Sequence, residues 1–384
     1  MTIAIVTGTR PEIIKMYPII KILDKNSIDY SYIHTGQHYD YELFLKFIEE
    51  FGIRKPDYSI SIEESTVTAQ VARIIKEVGL ILEKLLPALV LVEGDTNSVL
   101  ASALAALKNR IPIAHIEAGL RSNDWRTVEE HNRRIVDHVS DILFSPSAMS
   151  SKNLRNEHVY GEIHRVGNTI IDAINLRLGK DYHNNGEHFS KRNKLFSSLK
   201  VDPSIADNYI LVTMHRSENV DDPQTLKQVL TALSDTKLNY LFPMHPHTLK
   251  RIHQYRLTKY LGNRIRIIEP VGYMAFLQLL KNCQFVITDS GGVQEEVTSP
   301  RINKRALILR DCTERPESVK SGHSVLCKID HDEIVKRIER FDKHGTRIIA
   351  SYNCPYGDGT SAMKIVEIIS NKFALKKIKN KVSS

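Results

Sequence analysis

Acidic residues stand directly after several apolar runs in the first half of the chain, where they could exchange protons with a ligand. Asp95 follows the run ALVLVEG, Glu117 ends the run IPIAHIE, and Glu129 comes soon afterwards in the stretch VEEHNR. Carboxylates that lie close together raise one another's pKa, so such a group can contain both a proton donor and a proton acceptor near neutral pH. The pattern indicates general acid–base chemistry, although Asp95 alone could cap a helix and Glu129 alone could balance a helix dipole.

Basic and small polar residues follow the apolar runs of the second half. His215, His245 and Arg315 occupy such positions, and the stretch DSGGVQEEV (289–297) joins two glycines to two glutamates. Near the N-terminus, GTRPE places Arg10 beside a predicted helix start. Backbone amides at a helix start and the forked guanidinium of arginine both suit a phosphate or a carboxylate. These positions are therefore predicted to bind an anion.

Predicted strands and helices alternate along the chain and would position these residues. Short apolar runs such as IAIVTG, YSYIHTG and DILFSPS each precede a segment with helical periodicity, which is typical of βαβ units in a parallel sheet. The alternation stops in the polar stretch GKDYHNNGEHFSKRNK and then restarts, which predicts two doubly wound α/β domains. We place the domains at 1–178 and 179–359, a final helix at about 360–375 and a basic tail at 376–384. Ligands of such sheets bind beyond the carboxyl ends of the strands, where the polar residues stand.

Several function classes are disfavoured by what the sequence lacks. The first strand–helix turn has no GxGxxG and the chain has no GxxxxGK[ST], which argues against nicotinamide and ATP chemistry. The four cysteines are widely spaced, and His115, His245 and His247 do not complete a ligand set, so no metal is expected. Part of the net charge of +8 lies in the C-terminal tail, and without a recognisable module no nucleic-acid partner is expected. The apolar runs are too short for a membrane span and no signal peptide is visible, which predicts a cytoplasmic protein.

Nine short motifs, spread over nearly the whole chain, resemble one enzyme family. In order they are GTRPEIIK, TGQH, EGDTNS, HIEAGLRS, EEHNR, MHRSEN, DSGGVQEE, RDCTERPE and YGDGTSA. Together they are similar to the non-hydrolysing UDP-N-acetylglucosamine (UDP-GlcNAc) 2-epimerases. The resemblance implies a GT-B fold, in which two Rossmann-like domains face each other across a cleft and the final helix packs back on the first domain. It also implies a homodimer that interconverts UDP-GlcNAc and UDP-N-acetylmannosamine (UDP-ManNAc) by elimination of UDP to 2-acetamidoglucal and re-addition, without a cofactor.

The same resemblance implies roles for individual residues. The predicted catalytic residues are Asp95, Glu117, Glu129 and His215. The predicted substrate-binding residues are Arg10, Lys15, His245, Phe276, Ser290, Gly291, Gly292, Glu296 and Arg315. Of these, Phe276 would stack on the uracil ring and Glu296 would accept hydrogen bonds from the ribose hydroxyls. A second UDP-GlcNAc is expected to activate the enzyme through Gln37, His38 and Arg216.

Departures from the family pattern leave some of these choices open. Val128 stands where proline usually precedes the paired glutamates, so either Glu129 or Glu130 could be the functional one. Asp40 replaces a glutamine near the predicted activator site, which leaves activation open. Glu295 is expected only to favour the helix dipole, as a first-turn residue.

Three other functions share parts of the same pattern. A hydrolysing 2-epimerase would release free ManNAc and UDP, and Thr96 after Asp95 argues against it, because those enzymes tend to have arginine there. A GT-B glycosyltransferase would need an acceptor for turnover. A regulator that only binds sugar nucleotides would leave the acidic residues with a structural role alone. The sequence GTRPE, by resemblance, favours UDP-GlcNAc over a more heavily modified 2-acetamido sugar.

Overall fold

A computed structural model of the protein describes residues 2–36, 41–179, 194–201, 205–206, 208–343 and 354–373, without the side chains of residues 41–43 and 46. These residues divide into two compact units. The first contains the described residues up to Ala173 and those from Tyr356 onward, and the second lies within Ile174–Pro355. The division falls inside the helix Thr169–Leu178. Among the described residues, no helix has the length and apolar character needed to cross a membrane.

The first unit contains a seven-stranded parallel sheet in the order β3-β2-β1-β4-β5-β6-β7. Its strands are β1 (Ile3–Thr7), β2 (Tyr30–His34), β3 (Tyr58–Ser59), β4 (Leu89–Glu93), β5 (Ile113–Ile116), β6 (Ile142–Ser145) and β7 (Glu162–Arg165). Its helices are Arg10–Lys25, Tyr41–Phe51, Val67–Leu85, Asn97–Lys108, Val128–Val139, Ala148–Asn156, Thr169–Leu178, which runs past the division, and Ser361–Phe373. The direction of strand order reverses between β1 and β4, which pair with each other. In doubly wound sheets this reversal marks the ligand-binding edge.

Buried strands and capped helices explain how the sequence forms this unit. Every residue of β1, β4, β5 and β6 is buried, as expected for parallel strands that are covered by helices on both faces. Pro11 occupies the first turn of the helix after β1, where a missing N–H costs nothing. The side chain of Thr96 accepts a hydrogen bond from the Val99 amide, and Ser147 accepts one from the Ser150 amide. Both are N-caps that fix where a helix begins after a strand.

The helix Ser361–Phe373 belongs to the first unit and packs against the helix Arg10–Lys25. Its start is held by Asp172, whose carboxylate accepts hydrogen bonds from the amides of Ala362 (3.0 Å) and Ser361 (3.3 Å). Burial raises the pKa of Asp172 to about 6, although these two bonds work in the opposite direction. A buried carboxylate at a helix start therefore fixes the last described element of the chain.

The second unit contains a six-stranded parallel sheet in the order β10-β9-β8-β11-β12-β13. Its strands are β8 (Ile210–Thr213), β9 (Tyr240–Pro243), β10 (Ile265–Ile268), β11 (Val286–Thr288), β12 (Ala306–Leu309) and β13 (Ser324–Cys327). Its helices are Ser217–Val220, Pro223–Asp235, Pro246–Gln254, Tyr273–Asn282, Gly291–Glu296, Pro316–Lys320 and His331–Lys343, with a 3₁₀ turn at Thr258–Tyr260. Val212, Phe242, Ile287 and Leu307 come from four of these strands and are fully buried in one apolar core. The prediction of two parallel α/β sheets is confirmed.

Candidate functional site

In the first unit, the turn after β1 is tied to the turn after β4 by a buried glutamate. The carboxylate of Glu12 accepts hydrogen bonds from the Gly8 amide (2.7 Å), the Thr9 hydroxyl (2.7 Å) and the Thr96 hydroxyl (2.9 Å). Burial raises the pKa of Glu12 to about 7, against the lowering effect of these bonds. Glu12 was not among the predicted site residues, although a glutamate three residues after a threonine is the spacing of a capping box.

The same turn admits no side chain at its glycine. A Cβ atom at Gly8 would lie 2.1 Å from Ser98 Oγ and 2.4 Å from Thr35 Oγ1. Arg10, one of the predicted substrate-binding residues, is exposed at the helix start, and its guanidinium lies 5.8 Å from the ring centre of Phe47. The turn thus keeps its backbone close to the neighbouring strands and leaves the arginine at the surface of the unit.

A buried lysine joins two carboxylates at the ends of β4 and β5. Lys15 Nζ contacts Glu117 Oε1 and lies 3.4 Å from Glu93 Oε1. Asn168 Nδ2 also donates to Glu117 Oε1, at 2.8 Å. Burial raises the pKa of Glu93 well above its usual value, and the charge of Glu117 adds to this while Lys15 opposes it. The structure therefore gives the predicted substrate ligand Lys15 a second role, as the counter-ion of the predicted catalytic residue Glu117.

The backbone of Glu117 is left-handed, with φ of +69°. Such a conformation is uncommon for a residue with a long side chain and is found at functional sites more often than elsewhere. Glu93 and Asn168 were not predicted as site residues. The position of Glu93 at the end of a strand, in the motif EGDTNS, was the signal that could have identified it.

The paired glutamates at the start of the helix Val128–Val139 lie in different environments. Glu130 is fully buried and accepts hydrogen bonds from the amide and hydroxyl of Ser122 (both 2.9 Å) and from Arg133 (2.6 Å). Burial alone would raise its pKa, but the bonds from Ser122 and the charge of Arg133 lower it. Glu129 is exposed. Glu130 is thus held in a structural network, and the assignment of Glu129 as the functional glutamate stays a prediction.

Asp95 lies in the turn after β4 and is fixed from the helix Val128–Val139. Arg133 contacts Asp95 Oδ2, and Asn132 Nδ2 donates to the Asp95 carbonyl at 2.9 Å. The Asp95 side chain keeps about a quarter of its surface exposed (25%). Its carboxylate is therefore oriented by a guanidinium and still accessible.

His115, which the sequence raised as a possible metal ligand, is fully buried in β5. Its Nδ1 lies 2.7 Å from Asp137 Oδ1, and its Nε2 lies 2.8 Å from the Gly94 carbonyl. Among the residues that the structure describes, no three histidine, cysteine or acidic side chains gather as a metal site would require.

In the second unit, a buried aspartate holds the loop that carries His215. Asp289 accepts hydrogen bonds from the amides of His215 (3.1 Å) and Arg216 (3.0 Å) and from Asn219 Nδ2 (3.0 Å). The imidazole Nδ1 of His215 lies 3.4 Å from the same carboxylate, and 48% of the side chain is exposed. Asp289 therefore orients His215 without covering it. Asp289 was not among the predicted site residues, although it directly follows the strand Val286–Thr288 in the stretch DSGGVQEEV.

The glycines after Asp289 begin the helix Gly291–Glu296, with Ser290 as its N-cap. A Cβ atom at Gly291 would lie 2.6 Å from Arg315 Nη1, so a larger residue there would displace the guanidinium from this helix start. At Gly292 a Cβ atom would meet nothing closer than Ser290 Oγ at 4.0 Å. The space that a Cβ atom would occupy is therefore filled at Gly291 and open at Gly292.

Arg315 is buried and engaged with two glutamates. Its Nε donates to Glu295 Oε1 at 2.8 Å, and its Nη1 contacts Glu314 Oε1. Arg216 Nη2 lies 3.6 Å from the same oxygen of Glu314. The interpretation of Glu295 as a first-turn residue that favours the helix dipole is wrong. Glu295 is the fifth of six helical residues, and Arg315 is the partner that neutralises it.

Two residues predicted to hold the nucleoside lie on neighbouring helices of the second unit. Glu296 Oε1 accepts a hydrogen bond from the hydroxyl of Tyr273 at 3.0 Å. Burial and the charge of Glu296 raise the pKa of Tyr273 well above its usual value, so the phenol stays a donor. Phe276, one turn further along the helix of Tyr273, is half-buried.

The remaining predicted residues are an exposed histidine and two that the structure does not describe. His245 is the N-cap of the helix Pro246–Gln254, and its Nδ1 accepts from the His247 amide at 3.2 Å. Gln37 and His38, which belong to the predicted activator site, lie outside the described residues, and so does Asp40.

Comparison with known proteins identifies the family. A family model described as UDP-N-acetylglucosamine 2-epimerase matches residues 21–370. The UDP-N-acetylglucosamine 2-epimerase of Methanocaldococcus jannaschii is 39% identical over 380 residues, which cover 96% of this chain and 99% of that protein. The chain belongs to the UDP-N-acetylglucosamine 2-epimerase family. The family resemblance predicted from the nine motifs is confirmed.

A solved structure and a relative with a different name extend the comparison. The crystal structure of Methanocaldococcus jannaschii UDP-GlcNAc 2-epimerase in complex with UDP-GlcNAc and UDP matches with a TM-score of 0.84 and 38% identity, over 97% of this chain and 100% of that one. The predicted GT-B fold class is therefore confirmed. The UDP-2,3-diacetamido-2,3-dideoxy-D-glucuronate 2-epimerase of Pseudomonas aeruginosa is 36% identical over 374 residues, which cover 96% of this chain and 99% of that protein. Relatives of this chain thus differ in the sugar for which they are named.

Proposed function

We propose that this protein interconverts UDP-GlcNAc and UDP-ManNAc as a non-hydrolysing 2-epimerase. The observation that carries the proposal is the buried group at the ends of β4 and β5, where Lys15 contacts Glu117 and lies near Glu93. Inversion at C2 needs one group that removes a proton and one that returns it to the opposite face. A cluster with two carboxylates and one ammonium can hold such a proton, since the single positive charge neutralises only one of the acids.

The reaction is an elimination followed by a re-addition. The C1–O bond to UDP breaks, a carboxylate takes the C2 proton, and the electron pair of the C2–H bond forms the C1=C2 double bond of 2-acetamidoglucal. UDP then adds back to C1 while C2 receives a proton on the other face. We assign this proton transfer to Asp95, Glu117 and Glu129, without assigning a face of the sugar to each.

The second unit supplies the residues that we propose hold UDP. His215 presents an exposed imidazole from a loop that Asp289 orients, and the amide of Gly292 stands where the backbone is open. Such donors stabilise the negative charge of the departing diphosphate. Glu296 would accept from the ribose hydroxyls and Phe276 would stack on uracil. The complex of the Methanocaldococcus jannaschii enzyme with UDP-GlcNAc and UDP supports this ligand class.

One incubation in deuterated water tests the proposal. With UDP-GlcNAc as substrate, we expect proton NMR to show a mixture of UDP-GlcNAc and UDP-ManNAc, with deuterium incorporated at C2 of both. Accumulation of free ManNAc and UDP would instead identify a hydrolysing enzyme. If C2 exchanges no deuterium, the protein is a glycosyltransferase or a non-catalytic binder, and the proposal fails.

The same experiment can test which UDP-sugar the protein prefers as its substrate. A parallel incubation with UDP-2,3-diacetamido-2,3-dideoxy-D-glucuronate offers the compound for which the Pseudomonas aeruginosa relative is named. We expect exchange at C2 to be faster with UDP-GlcNAc. Faster exchange with the diacetamido uronate would keep the reaction and change the substrate.

The proposal includes a homodimer and an activator, both of which rest on family resemblance. A second UDP-GlcNAc would bind through Gln37, His38 and Arg216. Of these, the described residue is Arg216, whose backbone amide is held by Asp289 beside His215. The activator residue and the proposed diphosphate ligand are thus adjacent in one loop.

A further inference from the structure

His115 is a buried histidine whose two ring nitrogens both face hydrogen-bond acceptors. Asp137, from the helix Val128–Val139, lies 2.7 Å from Nδ1, and the carbonyl of Gly94, from the end of β4, lies 2.8 Å from Nε2. The flanking strands place the apolar residues Val92 and Leu143 beside it in register. The oxygen atoms within hydrogen-bond distance of the imidazole nitrogens are therefore one from a carboxylate and one from a carbonyl.

This geometry requires a proton on each ring nitrogen. A neutral imidazole has one N–H and one lone pair, and here the lone pair would point at an oxygen lone pair inside the buried core of the unit. Asp137 does not remove the conflict by taking the proton. Its Oδ2 lies 2.7 Å from Arg121 Nη2 and accepts a hydrogen bond from the Gly119 amide (3.1 Å), so groups other than His115 already stabilise its charged form. His115 is then the cation of a fully buried ion pair.

The ion pair of His115 is one link in a longer series of charged side chains, which we term the charge ring. Starting from His115, its members in order are Asp137, Arg121, Glu157, Arg134, Glu130, Arg133 and Asp95. From Asp137 to Arg133, successive members approach to between 2.6 and 3.0 Å. Acids and bases alternate at every step.

The series closes on itself at the turn after β4. Arg133, its last base, contacts the carboxylate of Asp95, while His115, its first, holds the carbonyl of Gly94, the preceding residue. With His115 protonated, four acids face four bases, which is the arrangement in which buried charges are compensated. With His115 neutral, Asp137 has only Arg121 as a charged partner, and the Gly94 carbonyl competes with the carboxylate for one N–H.

We propose that His115 is a positioning residue for Asp95, protonated on both ring nitrogens, which closes the charge ring and fixes the Gly94–Asp95 turn. The inference rests on the proposed function in that Asp95 transfers a proton to or from C2. His115 itself need not contact the substrate. The ring is complete only while His115 carries both protons, so the orientation of Asp95 depends on both of them.

The protonation state can be tested on the unmodified enzyme by nitrogen NMR of the protein labelled with ¹⁵N-histidine. At the pH of the activity assay, we expect both nitrogens of His115 to carry hydrogen, as the two acceptors facing them require. The spectrum of His115→Gln identifies the signal by its disappearance. A His115 signal with the pattern of a neutral tautomer at this pH would overturn the inference, whatever the enzyme catalyses.

The positioning role is tested by kinetics of His115→Gln, with His253→Gln as the matched control. His253 is an exposed histidine of the helix Pro246–Gln254 in the second unit. A small displacement of a reacting group can cost about 100-fold in rate, so we expect His115→Gln to lower kcat by 10- to 100-fold. KM and UDP affinity should stay within about 2-fold, because substrate binding is separate from proton transfer. The control should match the wild type.

Comparison of kcat with UDP affinity separates positioning from a general loss of structure, because a disrupted fold would weaken binding as well as turnover. Equal kcat in His115→Gln and wild type, or a loss of UDP affinity as large as the loss of kcat, would overturn the positioning role. If Asp95→Asn alone retains full activity, it is the assignment of Asp95 in the proposed function that fails, and the NMR result on His115 still stands.

Discussion

Lys15 lies between two buried carboxylates, and one ammonium can fully compensate only one of them. The cluster therefore favours a proton on Glu93, whose pKa burial and the charge of Glu117 raise, over two charged acids. Glu117 therefore has beside it a second carboxyl group that can gain or lose a proton. If Glu117 changes its charge in the proposed proton transfer, Glu93 can change in the opposite sense, so that Lys15 keeps one charged partner.

Single substitutions of the three proposed acid–base residues should separate chemistry from ligand binding. We expect Asp95→Asn, Glu117→Gln and Glu129→Gln each to lower kcat by at least about 100-fold, the usual contribution of a general acid or base. In Glu117→Gln, Glu93 should become the charged partner of Lys15, which keeps the site folded. UDP affinity, measured by calorimetry, should be unchanged, because none of the three acids is a proposed UDP ligand.

The matched control is Glu83→Gln, which removes an exposed carboxylate from the helix Val67–Leu85 of the same unit. It should be as active as the wild type. Full activity in any of the three variants would remove that residue from the catalytic group. Activity in Glu129→Gln together with a loss in Glu130→Gln that leaves the fold intact would reverse the choice between the paired glutamates.

Residue types at strand ends were predictable from the sequence, but their partners were not. Asp95 and Glu117 could be placed because each follows an apolar run. Lys15 is on the helix after β1, and its contact with Glu117 depends on the order of strands in the sheet, which local periodicity does not encode. The same holds for Asp289, whose hydrogen bonds to His215 cross from β11 to the end of β8.

At the element scale, Asp172 holds the start of the helix Ser361–Phe373. We expect its contribution to the free energy of unfolding to fall as the pH rises. Asp172 in the folded protein has a pKa of about 6, above its ordinary value of 3.8. The fold therefore binds this proton more tightly than the unfolded chain does. Its stabilising contribution is complete below about pH 4 and is lost as the pH rises to about 6, by about 3 kcal/mol in total.

Hydrogen exchange of the helix Ser361–Phe373, read by mass spectrometry, measures this effect locally. We expect the protection of wild type relative to Asp172→Asn to fall between about pH 4 and pH 6, after correction for intrinsic exchange. Asp358→Asn is the control with the opposite sign. The hydrogen bond from Thr360 lowers the pKa of Asp358, so its contribution is present at higher pH and is lost as the pH falls. An Asp172→Asn difference that does not vary with pH would contradict the role of this proton.

The strands and helices were easier to predict from the sequence than the point at which the chain divides into two units. Runs such as IAIVTG and CQFVIT became β1 and β11 because continuous apolar runs suit strands that are buried on both faces. The division of the chain inside the helix Thr169–Leu178 was not predictable, since its apolar periodicity continues without a break across Ala173. A helix pattern reports a buried face and does not report which unit provides the neighbours.

At the scale of the whole molecule, the two sheets carry different chemistry. The described ends of the first sheet collect buried acids around Lys15, while those of the second collect His215, Arg216 and Arg315 around Asp289 and Glu314. Proton transfer at the sugar and stabilisation of a departing diphosphate make opposite demands on charge. The separation of these groups into two units follows from that difference and agrees with the proposed reaction.

The whole-molecule prediction concerns the proposed dimer and its proposed activation by a second UDP-GlcNAc. If Arg216 contributes to the activator site, then UDP-ManNAc alone should be a poor substrate until UDP-GlcNAc is added, and the rate should rise sigmoidally with UDP-GlcNAc.

Arg216→Gln should require about 10-fold more UDP-GlcNAc for half-activation, which is the effect of losing roughly 1.4 kcal/mol of a charge-assisted contact. Arg256→Gln, which removes an exposed guanidinium from the same unit, should behave as the wild type. Light scattering should give a dimer for all three proteins, so that any change in cooperativity is assigned to the ligand and not to assembly. If the wild type shows hyperbolic kinetics and accepts UDP-ManNAc alone, the activator is excluded. Arg216 would then be only the sequence neighbour of His215, the proposed diphosphate ligand.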